Sequence, residues 1–586
     1  MLSKSRKRSA LIVLFALILL FITLGIYSHT DSGENKRFEN YTYNLFCEEV
    51  SGNTINLHYS LKNPAAYGIT DVPVSMGNVT TDTTAIGAAA ENALAVLHKY
   101  DRHKLSDENQ LTYDVLEDTF TSSINRAKYA LYDEPLSPLT GTQAQLPVIL
   151  SEYQFYSSSD IDTYLELLAE TPEYFQAILD FETEKSKQEL FMSSDSVDKI
   201  IEECEAFVAL KENNYLYSSF NERISEMDLT KSQRESYISE NASAIEKYIF
   251  PAYVLLKDGL ESLRETGQNT KGLCYLPDGK AYYELLVADE TGSYRSVPEL
   301  QALTRSQIMQ DLIDMQAVLA NIPEDVSPDS DLFSSHGTVF EDSNPMSILN
   351  DLRAKLEGEF PTPPDVDIQI KYVQKSMEEY LSPAFYMIPA IDNSEENVIY
   401  INSGHISDDL SLFTTLAHEG YPGHLYQTVY FANLEPDPIR SLMDCGGYTE
   451  GWATYCEMMS YYYAPIEKQN ATLFQKNASV MLGLYALADM GIHYDGWSLN
   501  DTVEFFSDYG ISDTETIKSI YDLILGDPGN YLKYYIGYVE FLELKKVAIE
   551  KWRDDFTQEK FHKKVLEAGS VPFGVLRNWV LGDGVF

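Results

Sequence analysis

The residues best equipped for chemistry lie in the stretch LFTTLAHEGYPGHLYQ, Leu412 to Gln427. Two histidines, His418 and His424, bracket a glutamate, Glu419, and a proline, Pro422. The pattern is close to H-E-x-x-H, in which histidines four residues apart share one helical face and grip a metal ion. Here the histidines are six apart, roughly 600° around a helix of 3.6 residues per turn, so a regular helix would point them to different sides. Pro422 has no N–H to donate and clashes with the turn before it, while Gly420 and Gly423 permit a break in the helix. An interruption between those glycines returns His424 to the His418 side. The segment therefore reads as an interrupted metal-binding helix rather than a kinked surface helix with two solvated histidines.

A catalytic zinc takes three protein ligands, leaves a fourth position for water, and needs a carboxylate beside that water to act as base. The third ligand is expected in GGYTEGWATYCEMMSYYY, which opens on a glycine pair and then reads as a helix. Glu450 lies 26 residues after His424, and Glu457 is two turns further on the same face. Glu450 is the first choice as ligand; Glu457 is a supporting or alternative one. Glu419, adjacent to His418, is directed about 100° away from it on a helix, which suits the base rather than a ligand. A structural zinc would be closed by a fourth protein ligand and has no use for a base.

Several elements must position these groups. SDDLSLFTTLAHE reads as a helix with Asp408 and Asp409 near its start and Leu412, Phe413 and Leu416 on an apolar face. Strand signals cluster just before it, in VDIQIKYV (366–373), AFYMIPAI (384–391) and NVIYINS (397–403), with DNSEEN as a turn. NVIYINS is expected as an exposed edge able to pair with an extended peptide. From about Ala88 to Leu263, apolar residues recur at three- and four-residue spacing, as in SVDKIIEECEAFVALKENNYL. GLCYLPDGKAYYELLVADETG interrupts the helices as a loop or a tightly packed turn. No fixed-period repeat is present, so a solenoid is not expected. The fold class is mainly α with a small β-sheet before the active-site helix.

The chain has 586 residues, 44% hydrophobic and 23% charged, with 43 Lys and Arg against 90 Asp and Glu. A net charge of −47 argues against a nucleic-acid partner, since phosphate binding needs a basic surface. It reads as an acidic, solubilising coat. At the N-terminus, four basic residues in MLSKSRKRSA precede the apolar run LIVLFALILLFITLGIY, with no A-x-A cleavage site after it. Basic residues before such a run keep the N-terminus inside and place the rest outside the cell. Residues 1–30 are read as an uncleaved signal anchor, with a removed signal peptide as the alternative, 31–40 as a polar linker and 41–586 as the catalytic domain. Of the five cysteines, none forms a C-x-x-C pair, which argues against thiolate zinc sites and thiol redox chemistry.

HEGYPGHLYQ followed by TEGWATYCE resembles the bacterial domain-of-unknown-function 885 family, whose members are zincin-like. ALADMGIHYDGW, GDPGNYLKYYIGYVEFLELK and FHKKVLEAGSVPFGVL extend the resemblance over most of the chain. It implies a large helical shell around a deep cleft, similar to peptidyl-dipeptidases, which admits short unfolded peptides. It also implies that Tyr534 and His493 hydrogen-bond the oxyanion of the tetrahedral intermediate, with Asp489, one turn earlier, orienting the His493 ring. His493 reads equally well as a satisfied core histidine. The family pattern P-G-Q-A-x-x-Y-x-x-G is met by Pro528, Gly529, Tyr534 and Gly537, with Asn530 and Tyr531 replacing Gln and Ala, a departure that bears on substrate preference. The expectation is a membrane-anchored, extracellular zinc peptidase acting on short peptides. The alternatives are a zinc hydrolase of non-peptide amides or esters, and a non-catalytic tethered surface protein.

Overall fold

The computed structural model describes residues 31–582, apart from 139, 268, 322–341, 374, 376–377 and 379–380. The expected membrane anchor, residues 1–30, lies outside the described residues. Among the described residues no helix is long and apolar enough to cross a membrane.

The fold is mainly helical from its first described residue. The expected linker at 31–40 is instead the first half of helix α1 (Asp31–Val50). Its polar composition hides a stripe at four-residue spacing, Phe38, Thr42, Phe46 and Val50, all fully buried; one apolar face is enough to dock a helix. The Thr42 hydroxyl donates to Asp437, fastening α1 to the C-terminal half. The GLCYLPDGKAYYELLVADETG stretch also differs from expectation, since most of it forms helix α2 (Gly279–Thr291). Asp278 takes a left-handed conformation at its start, and Tyr282, Tyr283, Leu286 and Val287 bury one face.

Three strands follow, β1 (Asp367–Tyr372), β2 (Ala384–Met387) and β3 (Glu396–Ile401), in the order β1-β3-β2. β3 runs parallel to β1 and antiparallel to β2. NVIYINS is thus the central strand, not the exposed edge expected; its β-branched residues reflect burial on both faces. The edge is β2. Alternation of side chains along β3 divides two cores. Ile399 and Ile401 join the C-terminal core around Trp452, Leu484 and Phe541. Tyr400 faces an N-terminal helical core that includes Phe175, Ile178 and Leu256. The sheet is a partition between two helical bodies.

The helices that carry the expected site belong to the C-terminal body: α3 (Asp409–Glu419), α4 (His424–Ala432), α5 (Gly446–Ser460), α6 (Lys468–Met490) and α7 (Asn530–Trp552). α5 and α7 cross in backbone contact. A Cβ on Gly451 would lie 2.5 Å from the Cα of Gly537, and one on Gly537 would lie 2.0 Å from the Gly447 carbonyl oxygen. Glycines are required there because no side chain fits between the two backbones.

Candidate metal centre

Asp408 caps α3 by accepting from the Ser411 N–H at 2.8 Å, satisfying one of the donors left free at a helix start. The helix runs to Glu419 and stops at Gly420; α4 begins at His424. Across the break the Gly423 N–H reaches back to the Ala417 carbonyl at 2.9 Å, and the Tyr426 N–H to the Gly420 carbonyl at 3.2 Å. The turn is tight: a Cβ on Gly423 would lie 1.7 Å from the His418 carbonyl oxygen. As the Gly-Tyr-Pro-Gly spacing predicts, the break returns His424 to the His418 side. The two rings lie 4.9 Å apart, edge to face.

Helix α5 fastens this break from behind. The Trp452 indole N–H donates to the Pro422 carbonyl at 2.9 Å and the Cys456 thiol to the same oxygen at 3.4 Å. Both residues are fully buried. With the helix so placed, Glu450 Oε2 lies 3.6 Å from His418 Nε2 and 3.4 Å from His424 Nε2. Glu457 meets the other nitrogen of the first ring, with Oε2 3.0 Å from His418 Nδ1. The two glutamates, two turns apart on one face, hold the same ring from its two ends.

Glu419 is buried beside the pair, and its carboxylate forms a compact group with the two histidines, ligand atoms within 4.8 Å of one another. That proximity alone would allow Glu419 to be a ligand. Its Oε2, however, accepts the Tyr386 N–H of strand β2 at 2.8 Å, which turns the group toward the sheet. Glu450, reaching both Nε2 atoms, is the better-placed third donor.

Charges in this cluster reinforce one another. Burial would lower the His418 pKa, but the Glu450 and Glu457 carboxylates hold it well above the ordinary imidazole range. Burial would raise Glu450, and the two histidines hold it well below the usual carboxylate range. Burial raises the Glu419 carboxyl, with His424 and His418 opposing the rise. Burial, then the negative charge of Glu450, keeps the Tyr534 phenol far above its usual value, so it stays a donor. The Tyr534 ring, on α7, lies 6.4 Å from that of His418.

These groups line a cavity of about 540 Å³, closed on one side by Ala384, Phe385 and Tyr386 of β2. It adjoins a second cavity of about 970 Å³ through Tyr534 and Phe385, and a third of about 580 Å³ through Thr449 and Glu450.

His493 is not part of this site. It is fully buried in the helical turn that follows α6, where its Nδ1 accepts from the Leu273 N–H at 3.2 Å and its Nε2 donates to the Ile524 carbonyl at 2.8 Å. With both nitrogens spent on backbone, it is the satisfied core histidine of the two readings, its pKa pushed down to about 4 by burial. Asp489 does not orient that ring either. Its carboxylate accepts from the Tyr283 hydroxyl at 2.5 Å and the Gly529 N–H at 3.0 Å, fixing the turn that begins α7. The Trp452 and Cys456 clamp and the Tyr386 amide were not anticipated. Trp452, inside the second motif, carried a compositional signal; a backbone amide leaves none.

Residues 79–580 match a family described as bacterial protein of unknown function (DUF885). A candidate lipoprotein from Colwellia psychrerythraea has a similar structure, with a TM-score of 0.81 at 18% identity over 93% of this chain and 98% of that one. A candidate lipoprotein of unknown function from Shewanella oneidensis is also similar, with a TM-score of 0.61 at 15% identity over 94% of this chain and all of that one. At these identities the likeness is one of fold. No curated protein matches the sequence significantly.

Proposed function

The chain belongs to the DUF885 family of bacterial proteins, and from that premise we propose that it is a membrane-tethered, zinc-dependent peptidase of short peptides. The observation that carries this reading is the distance of Glu450 from each of the two histidines. Ligands about 2.0–2.2 Å from a tetrahedral zinc stand roughly 3.3–3.6 Å from one another. Glu450 Oε2 lies 3.4 and 3.6 Å from the two histidine Nε2 atoms. A direct imidazolium–carboxylate hydrogen bond is shorter, about 2.7–2.9 Å, and the 3.0 Å contact of Glu457 is of that kind. Two imidazoles and one carboxylate form a catalytic zinc set with one position open, and a carboxylate on the outer nitrogen of a ligating histidine fixes its ring and raises its basicity. The donors fit zinc, and the arrangement is zincin-like in this sense.

Zinc held there by His418, His424 and Glu450 would supply Lewis acidity, polarising a carbonyl and lowering the pKa of water from 15.7 to about 7. The protein's own groups do the rest. Glu419, its pKa raised by burial, takes the proton of the attacking water and returns it to the departing amine. The Tyr534 hydroxyl donates to the carbonyl oxygen as negative charge builds on it. The outer edge of β2, apart from the Tyr386 N–H that Glu419 holds, offers backbone groups that an extended peptide can pair with, which favours a peptide over a non-peptide amide or ester. The cavities between sheet and helices take the role of the expected cleft.

Both similar structures belong to candidate lipoproteins, which fits a membrane-held location. Here the first cysteine is Cys47, so the tether is assigned to the apolar run in residues 1–30, with the rest outside the cell. Protease added to intact cells should then release the protein; complete protection would contradict this topology. The function itself is tested by elemental analysis of zinc-reconstituted protein and by cleavage of a mixed short-peptide library. About one zinc per chain is expected, and a protein that retains no transition metal removes the proposal.

A further inference from the structure

Around the donor cluster the cavities differ in charge. Of 586 residues, 90 are Asp or Glu, yet among the described residues none of them lines the 970 Å³ cavity next to Tyr534. Among the described residues its one permanently charged lining residue is Lys533. Amides surround it, from Asn53, Asn56, Gln145 and Asn530. With no carboxylate on its described lining, this space repels anions less than the 580 Å³ cavity beside it, which Asp118, Asp289, Asp444 and Glu450 line.

Lys533 also borders the acidic 580 Å³ cavity, where its charge acts on Glu290, and its Nζ lies 5.6 Å from the centre of the Tyr534 ring. The other cation bordering these cavities, Arg126, is bound by Asp289 and Asp133. Among the described residues, no carboxylate oxygen lies within 4.0 Å of Lys533 Nζ and no hydrogen bond to it is made. The charge is half-buried, and such a charge gains most from a partner brought by a ligand. Asn530, Lys533 and Tyr534 fall at three- and four-residue spacing on the first turns of α7, hence on one face. That face stands at the positive end of a 23-residue helix. The middle and last of the three carry a cation and the hydroxyl assigned to the reacting carbonyl.

We propose that Lys533, assisted by Asn530, anchors a substrate carboxylate in the 970 Å³ cavity, so that the protein selects short peptides by a negative charge on one side of the scissile bond. The inference rests on the peptidase reading and names its substrate class. The carboxylate comes either from the peptide's C-terminus or from an acidic side chain; the chemistry at Lys533 is the same.

The test uses the zinc-reconstituted full chain carrying Glu419→Gln, which binds peptide without turning it over, and reads affinity by calorimetry. Acetyl-tetraalanine is compared as free acid and as carboxamide, and the carboxamide is then compared with one alanine replaced by glutamate or by glutamine. The charged member of at least one pair should bind about ten- to hundredfold more tightly, the range of a charge-assisted hydrogen bond. Lys533→Met should bring that ratio close to one, and Lys533→Arg should restore most of it. The pair that shows the preference identifies the source of the carboxylate. Equal affinity within both pairs, a preference that survives Lys533→Met, or no binding of any of the four peptides overturns the proposal. Hydrolysis by the parent chain separates the two levels: peptides cleaved without regard to charge sink Lys533 alone, while peptides neither bound nor cleaved sink the peptidase reading as well.

Discussion

Replacing Glu450 and Glu457, one at a time, by glutamine should have unequal consequences for zinc, although the residues share one face of one helix and touch one histidine. Glutamine keeps the shape of each side chain and removes its charge. At 450 the lost oxygen is the one spaced 3.4 and 3.6 Å from both Nε2 atoms, the separation of ligands on a common tetrahedral ion. At 457 the lost oxygen lies 3.0 Å from Nδ1, the nitrogen that faces away from that point. An outer partner of a ligating histidine contributes about 10–100-fold in metal affinity, or roughly 1.4–2.8 kcal/mol at 1.4 kcal/mol per tenfold. Glu457→Gln should fall in that range, because the amide oxygen can still accept from Nδ1. Glu450→Gln loses an anionic ligand and should fall well beyond it. Competition with a chromophoric chelator at neutral pH measures both constants, and circular dichroism checks that the variants are folded. A Glu450→Gln protein within tenfold of the parent, or a Glu457→Gln protein weaker than Glu450→Gln, would refute the assignment and the spacing argument behind it.

Glu419→Gln should keep zinc and fold while peptide hydrolysis falls about 10²–10⁴-fold, the contribution of a general base; parental turnover would end the mechanism. Gly423→Ala forces a Cβ to within 1.7 Å of the His418 carbonyl oxygen, so it should destabilise by about 1–3 kcal/mol or more and weaken zinc, read as a lower denaturation midpoint with sub-stoichiometric metal. His493→Gln should leave hydrolysis intact but change the pH dependence of stability. The folded imidazole has its pKa pushed down from 6.5 to about 4 by burial, so stability is full above pH 6.5. As pH falls from 6.5 toward 4, the unfolded chain takes up a proton that the folded one refuses, and up to ~3 kcal/mol is lost. Denaturant titrations across that window should show a shallower loss in the variant, and an unchanged slope would contradict the assignment.

The interrupted helix was legible because each departure from H-E-x-x-H had a local cause: a proline that cannot continue a turn and two glycines that permit one. The three strands were legible from β-branched and aromatic composition, with bounds close to those observed for β1 and β3, whereas β2 ends at Met387, four residues before the expected end. Which strand lay at the edge was not, because order in a sheet is decided by pairing, and Val398, Ile399, Tyr400 and Ile401 read alike whether one face or both are covered. α1 escaped notice because its buried stripe, Phe38, Thr42, Phe46 and Val50, includes a threonine and is set among mostly polar and charged residues. His493 and Asp489 were placed near the oxyanion by resemblance alone; Asp489 at the end of α6 and His493 in the turn just after it are drawn to different partners, the Tyr283 hydroxyl and the Ile524 carbonyl. Glu419's hold on β2 passes through a main-chain N–H, which any residue at 386 other than proline would supply.

Because Gly451 and Gly537 meet with no side chain between them, α5 and α7 have no soft material at their crossing. Packed side chains can change rotamer to let helices slip by an ångström; backbone against backbone cannot. The separation of Glu450 from Tyr534, one residue before and three residues before the touching glycines, is therefore fixed by main-chain geometry. Breathing motions that admit or release a ligand must be borne by the opposite wall, the four-residue strand β2 and its surroundings. Amide hydrogen exchange should divide the site accordingly, with slow exchange along the helical crossing and faster exchange on the sheet side.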